Sequence, residues 1–199
     1  MTKYILNSGG LRSNPENATK FINEMVNGLS KNPHILFCFF AEKREDWEEK
    51  FNNYTKRFIG WLSSEVEPTF ELAFPNRFIE QVKKVDAIYI HGGDDHLLMY
   101  WLRQFHLKEM FKDKIVATNS ASSDVLSKYF WTCDWRQCMD GLGILPIKFI
   151  PHYKSDWGSD DPRGPIDWDK AYDELKEYGE KDLPIYAPEA ANYEVFEVE

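Results

Sequence analysis

The segment Asp86-Ala-Ile-Tyr-Ile-His-Gly-Gly-Asp-Asp95 decides the fold. Its apolar run Ala87 to Ile90 has the length and content of a buried strand, Gly92-Gly93 is a turn, and Leu97, Leu98, Trp101 and Leu102 recur at helical spacing. A strand that stops at glycines and restarts as a helix is half of a βαβ unit. Ile115-Val-Ala-Thr-Asn-Ser-Ala-Ser-Ser-Asp124, followed by Val125 and Leu126, has the same order with small residues at the turn. Further out, strand-like runs at Tyr4 to Leu6, His34 to Phe40, Thr69 to Phe74 and Lys114 to Ala117 alternate with helical patterns. One opens at Asn14-Pro15-Glu16 and aligns Phe21, Ile22, Met25, Val26 and Leu29. Another, Glu42 to Leu62, puts Trp47, Phe51, Tyr54, Phe58, Ile59 and Leu62 on one side. The alternation predicts an α/β protein, a three-layer sandwich with a mainly parallel sheet flanked by helices. In the last third, Ile147 to Ile150 is apolar, Tyr153 to Pro165 is a polar loop and Trp168 to Tyr178 is helical; two short strands, Pro184 to Ala187 and Tyr193 to Val198, close the chain. No repeat or linker divides it, so residues 1–199 are expected to form one domain.

A chain of 199 residues can bury a sizeable core without disulfide or metal support. Its net charge of -9 argues against nucleic-acid partners, because phosphate binding needs clustered Lys and Arg. No segment reaches the roughly 20 apolar residues of a membrane span, and the short apolar start turns polar at Asn7, unlike a secretory leader. Cys38, Cys133 and Cys138 form no CxxC pair and suit a reducing compartment, so a cytoplasmic location is expected. The crowded His91, Asp94, Asp95 and His96 point in different directions from a turn and helix start, and Asp156, Asp160 and Asp161 lack calcium-loop spacing, so neither metal nor cofactor is expected.

Three places carry chemistry. Gly92-Gly93 at a strand end can turn backbone N–H groups toward a ligand, as an oxyanion site requires, or can be a plain tight turn. Ser120 stands where a sharp strand-to-helix turn would expose a nucleophile, or where an ordinary helix N-cap would sit. His152, in Ile150-Pro-His-Tyr153, is a base if a nucleophile lies within hydrogen-bond reach and otherwise a packed or solvated side chain.

In this order the three segments resemble the peptidase E (aspartyl dipeptidase) family, which includes cyanophycinase and has the class I glutamine-amidotransferase-like fold. Gly92-Gly93-Asp94 is similar to that family's Gly-Gly-Asn turn and Ser120-Ala121-Ser122 to its Ser-Ala-Gly segment. Gly141-Leu-Gly-Ile-Leu-Pro146 with Pro151-His152, and Pro188-Glu189 near the end, complete the resemblance. It implies a serine peptidase with a Ser-His-Glu triad: Ser120 as nucleophile, His152 as general base, Glu189 as orienting carboxylate, with Asp134 ranked second for that role. Gly93 and Ala121 would supply oxyanion N–H groups. It also implies dipeptides beginning with Asp as substrates, hence cations near the site. Lys154 and Arg163 stand close to His152 in sequence, with Arg136 further off, and Asp94 borders the turn.

Thr118 and Ser122 replace both glycines of the usual elbow, where a Cβ is expected to be crowded, and Asp94 adds negative charge where the family has an amide. Two functions follow. One is a serine hydrolase acting on a small peptide or amide through an acyl-enzyme; the other is a hydrolase-like protein that binds a peptide or small molecule with impaired turnover.

Overall fold

The structure is a computed structural model that describes residues 1–199. Six strands, β1 (Thr2–Asn7), β2 (His34–Cys38), β3 (Thr69–Leu72), β4 (Ala87–Ile90), β5 (Ile115–Asn119) and β10 (Tyr193–Val198), form a sheet in the order β10-β1-β5-β4-β2-β3. The five from β1 to β5 are parallel, and β10 pairs antiparallel with β1. Continuous apolar runs such as Ala87–Ile90 are buried along their whole length, as a sheet covered on both faces demands. Around it lie α1 (Pro15–Val26), α2 (Trp47–Trp61), α3 (Phe78–Lys84), α4 (Asp95–Leu102), α5 (Leu107–Met110) and α6 (Ala121–Leu126). Asn14 caps α1 by accepting from the Asn17 N–H, as the Asn-Pro-Glu start implies. Phe21 of α1 and Phe58 of α2 meet Tyr89 of β4 edge-on, with ring centroids 6.4 and 4.9 Å apart. No helix is long and apolar enough to cross a membrane.

A second sheet was not foreseen. Strands β6 (Ser127–Thr132), β7 (Gln137–Asp140), β8 (Leu145–Phe149) and β9 (Ile185–Tyr186) lie in the order β7-β6-β8-β9, with only β7 antiparallel. Neither Gly nor Pro separates α6 from β6, so Val125 to Trp131 carries no sign of where helix becomes strand. The helix α7 (Trp168–Glu177) packs on β6 and β7 through a small core of its own around Trp131, Ile150, Ala171 and Leu175.

Lys148, on β8, is wholly buried, and its Nζ donates to the carbonyls of Leu175, Lys176 and Tyr178 at 2.8, 2.9 and 2.7 Å. These are carbonyls at the C-terminal end of α7, where a cation is favoured; that of Leu175 also accepts the Tyr178 N–H, and those of Lys176 and Tyr178 have Lys148 as their donor. Lys148→Met keeps the length, removes three bonds and leaves the Lys176 and Tyr178 carbonyls without a donor, so it should lower unfolding stability by about 3 kcal/mol in urea melts. A loss below about 1 kcal/mol would mean that α7 is held by its apolar face alone.

Candidate active site

β4 and β5 are adjacent and parallel, with Ile90 beside Thr118, so both strand-to-helix junctions open at one carboxyl edge of the sheet. Gly92 passes so close to β5 that a Cβ there would stand 2.3 Å from the Asn119 carbonyl oxygen. Gly93 follows at φ 139, and its N–H donates to no group in the protein.

Ser120 adopts φ 55 and ψ -120 immediately before α6, a conformation that disfavours any side chain and is kept only when its surroundings fix it. Its N–H donates to the Asn7 carbonyl at 2.9 Å, and its carbonyl accepts from the N–H groups of Ser123 and Asp124. Of the elbow residues only Ser120 has positive φ. Thr118 and Ser122 therefore carry their Cβ atoms without backbone strain, and their hydroxyls brace the turn. Ser122 Oγ donates to the Ile90 carbonyl at 2.6 Å and accepts from the Asn119 N–H at 2.7 Å, which ties the elbow to β4. Thr118 Oγ1 bonds Ser123 Oγ at 2.7 Å, and Ser123 Oγ donates to the Asn7 carbonyl.

Ser120 Oγ lies 2.9 Å from His152 Nε2. The His152 side chain is buried, and its backbone N–H donates to Ser8 Oγ at 2.7 Å and to the Ser8 carbonyl at 3.0 Å. Trp157 stacks on one face of the ring, centroids 4.0 Å apart and planes 11° from parallel, and the Gly9 backbone covers the other. Burial holds the imidazole pKa down at about 4, so at neutral pH the ring is uncharged and Nε2 can accept the Ser120 proton. That tautomer carries its own proton on Nδ1, for which the protein provides no carboxylate.

Glu189, expected to orient the ring, makes no hydrogen bond to it. A β-bridge to Tyr153 sets it one residue beyond His152, its side chain is exposed, and its carboxylate makes no hydrogen bond. Asp134 lies on the Trp157 side, and burial together with Asp95 raises its carboxyl pKa. Asp94 is occupied as the N-cap of α4, accepting from the Leu97 N–H at 2.8 Å, so its charge is spent on the helix start rather than on the oxyanion position.

Ser120 and His152 open into a cavity of about 480 Å³ that Gly92 and Gly93 also line. Lys154 and Arg163 are outside it. Lys154 lies over the Tyr153 ring, and Arg163 forks onto Asp161 while donating to the Asp134 carbonyl, which braces the 153–165 loop. The cations that do line the cavity are Arg12 and Arg57, on the β1–α1 loop and α2. Neither forms an ion pair within the protein, and Arg57 Nη1 is buried without a hydrogen-bond partner. Sequence reading missed these, and it missed Ser8, Gly9 and Gly10, although a strand ending in Gly9-Gly10 is the same signal as one ending in Gly92-Gly93. No group of three or more His, Cys, Asp or Glu side chains is placed to hold a metal ion.

Comparison with known proteins agrees with this architecture. The sequence profile of peptidase family S51 matches residues 4–166. A peptidase from an acI-B1 Actinobacterium superposes with a TM-score of 0.61 at 21% identity, over 98% of this chain and 83% of its own. A protein assigned as peptidase E from Listeria monocytogenes superposes with a TM-score of 0.63 at 14% identity over 100% of both chains. At such identities the likeness speaks for the fold. No curated protein sequence gives a significant match to this chain.

Proposed function

The chain belongs to peptidase family S51, the peptidase E family, and from that membership we propose that it cleaves short peptides or amides through an acyl-enzyme on Ser120 with His152 as base. The observation that carries this reading is the 2.9 Å contact between Ser120 Oγ and His152 Nε2 at a residue held at φ 55. In the first half-reaction His152 takes the hydroxyl proton as Oγ attacks the carbonyl, then gives it to the departing amine; water reverses the sequence in the second. The free Gly93 N–H and the Ala121 N–H, the first of α6 and so unpaired within the helix, are the oxyanion donors in this scheme. Gly9 and Trp157 orient the imidazole from its two faces, and Glu189 contributes little. All 199 residues serve as one unit, since β1, β5 and the loop after β8 each supply part of the site.

Labelling with a fluorophosphonate tests the nucleophile directly: the wild type should react and Ser120→Ala should not. Unlabelled wild-type protein would favour the second reading, a binding protein with little turnover, for which the unpartnered Nδ1 of His152 speaks.

An acidic first residue is the substrate we propose, with Arg57 and Arg12 as the cations that meet its carboxylate. A charge-assisted bond to the half-buried guanidinium of Arg57 supplies roughly 1.5–3 kcal/mol, so Arg57→Met should lower kcat/KM on Asp-Xaa dipeptides by about 10- to 100-fold and leave Leu-Xaa rates nearly unchanged. A dipeptide library run on both proteins would read this out, and equal wild-type rates on Asp-Xaa and Leu-Xaa would defeat it.

A further inference from the structure

Ser120 and His152 both stand at positive φ, 55 and 54, and each is tied by its own N–H to the end of β1. Such a conformation disfavours a side chain and persists only where its surroundings impose it. The Ser120 N–H donates to the Asn7 carbonyl at 2.9 Å; the His152 N–H is shared between Ser8 Oγ at 2.7 Å and the Ser8 carbonyl at 3.0 Å. Two consecutive residues therefore anchor the pair whose side chains meet at 2.9 Å.

Ser8 is completely buried, and its partners fix the direction of both its bonds. An N–H can only donate and a carbonyl can only accept, so Oγ accepts from the His152 N–H and donates to the Pro188 carbonyl at 2.7 Å. No other group of the protein donates to that carbonyl. The hydroxyl thus links the loop that carries His152 to the segment 188–192, which leads into β10. That segment is fastened to the neighbours of Ser8 as well. Ser8 N–H donates to the Asn192 carbonyl at 2.9 Å, Ala191 N–H to the Gly9 carbonyl at 2.5 Å, and Asn7 Nδ2 to the Ala191 carbonyl at 3.2 Å. Asn7 Oδ1 accepts the Gly9 N–H at 2.7 Å and so fixes the backbone that covers the imidazole. In a catalytic triad a carboxylate on Nδ1 aims the ring. With Nδ1 of His152 unpartnered, the aim of this ring depends on how its backbone is held.

We propose that Ser8 is the positioning residue for His152, its hydroxyl fixing the backbone of the base against segment 188–192 so that Nε2 faces Ser120. The proposal rests on Ser120 being the nucleophile and His152 its base. It gives the C-terminal segment a part in the reaction that runs through the Pro188 carbonyl and Ser8, not through the Glu189 carboxylate. Orientation supplied in this way brings no charge to the ring, which fits an imidazole that stays neutral well below its ordinary pKa.

Ser8→Ala tests it, because the Ser8 carbonyl remains to accept the His152 N–H and only the link to Pro188 is lost. The value of kcat should fall by about 30-fold or more while KM changes by less than about threefold, as expected when a reacting group is misplaced and binding is not. A ring no longer held between Gly9 and Trp157 gains solvent, so its pKa should climb from about 4 toward 6.5 and carry the acid limb of kcat/KM with it. Thr2→Val is the control. It removes another buried hydroxyl, at the opposite end of β1, where Oγ1 donates to the Phe111 carbonyl and accepts from the Asp113 N–H. It should lose stability and keep both kcat and the acid limb. Ser8→Cys, which fills the same space with weaker bonds, replaces alanine should that variant fail to fold by circular dichroism, and its kcat should fall by about tenfold. A folded Ser8 variant with kcat within about threefold of wild type would overturn the proposal. So would an unmoved acid limb, or an equal loss of kcat in Thr2→Val. Titrating the His152 imidazole by NMR in Ser120→Ala, with and without Ser8→Ala, should show the same rise with no turnover involved. Fluorophosphonate labelling of the wild type reports on the nucleophile separately, so loss of one reading is not mistaken for loss of the other.

Discussion

Ser120→Ala is expected to remove nearly all peptidase activity, a fall in kcat/KM on the order of 10⁴-fold or more, and His152→Ala to remove about as much. The double variant should be little worse than either, since a nucleophile without its base and a base without its nucleophile are equally idle. Glu189→Gln should cost less than about tenfold, because its side chain is exposed and makes no hydrogen bond to the ring. Steady-state assays on the four proteins decide this; Ser120→Ala with activity intact would move the chemistry elsewhere. The pH profile carries a second signature. His152 must be neutral to act as a base, and burial lowers its pKa from 6.5 to about 4. The acid limb of kcat/KM should therefore fall near pH 4, not near 6.5. Stability moves in the same direction. Between pH 6.5 and 4 the unfolded chain binds a proton at His152 that the folded chain refuses, so acidification through that window should destabilise the wild type more than His152→Gln.

The junctions at Gly92 and Ser120 were legible because each packs its evidence into about ten consecutive residues: an apolar run, a residue able to turn, then a helical pattern. Parallel order followed from the helices between strands. The Ser120–His152 pair could be named but not measured from sequence, since 32 residues separate its members and only the way the second sheet docks on the first brings them to 2.9 Å. The second sheet was missed because Ser127 to Thr132 continues from a helix without a breaker, and because Gln137–Asp140 is too short and polar to announce itself. Charge was the least legible property. Lys154 and Arg163 are near His152 along the chain, yet Arg163 pairs with Asp161 two residues away and bonds the Asp134 carbonyl, while Arg57 reaches the cavity from α2. Adjacency in sequence predicts local pairing, and a binding site collects groups from elements far apart in it.

Gly9→Ala should reduce kcat by about 100-fold or more while leaving the protein folded, because a misplacement of roughly 1 Å at a reacting group is enough for such a loss. A Cβ on Gly9 would stand 2.2 Å from His152 Cε1 and 2.6 Å from Nε2, so the ring has to move. Its retreat is blocked by Trp157, stacked 4.0 Å away on the opposite face. The remaining freedom is a slide within its own plane, and that breaks the 2.9 Å contact to Ser120 Oγ. Gly9 also has φ 97, which charges any side chain a conformational penalty of about 1–2 kcal/mol. Gly28→Ala isolates that penalty, since Gly28 has φ 86 and nothing within 4 Å of an added Cβ; it should lose comparable stability and keep its rate. The clamp itself is tested by adding Trp157→Ala to Gly9→Ala. Opening the second face lets the ring back away from the new methyl, so the double variant should recover part of the activity that Gly9→Ala lost, although Trp157→Ala alone lowers it. That inverted coupling is what two walls pressing on one ring produce. Additive losses would mean that Gly9 and Trp157 act on His152 independently, and a Gly9→Ala enzyme with wild-type kcat would mean that the ring is not held from that side at all.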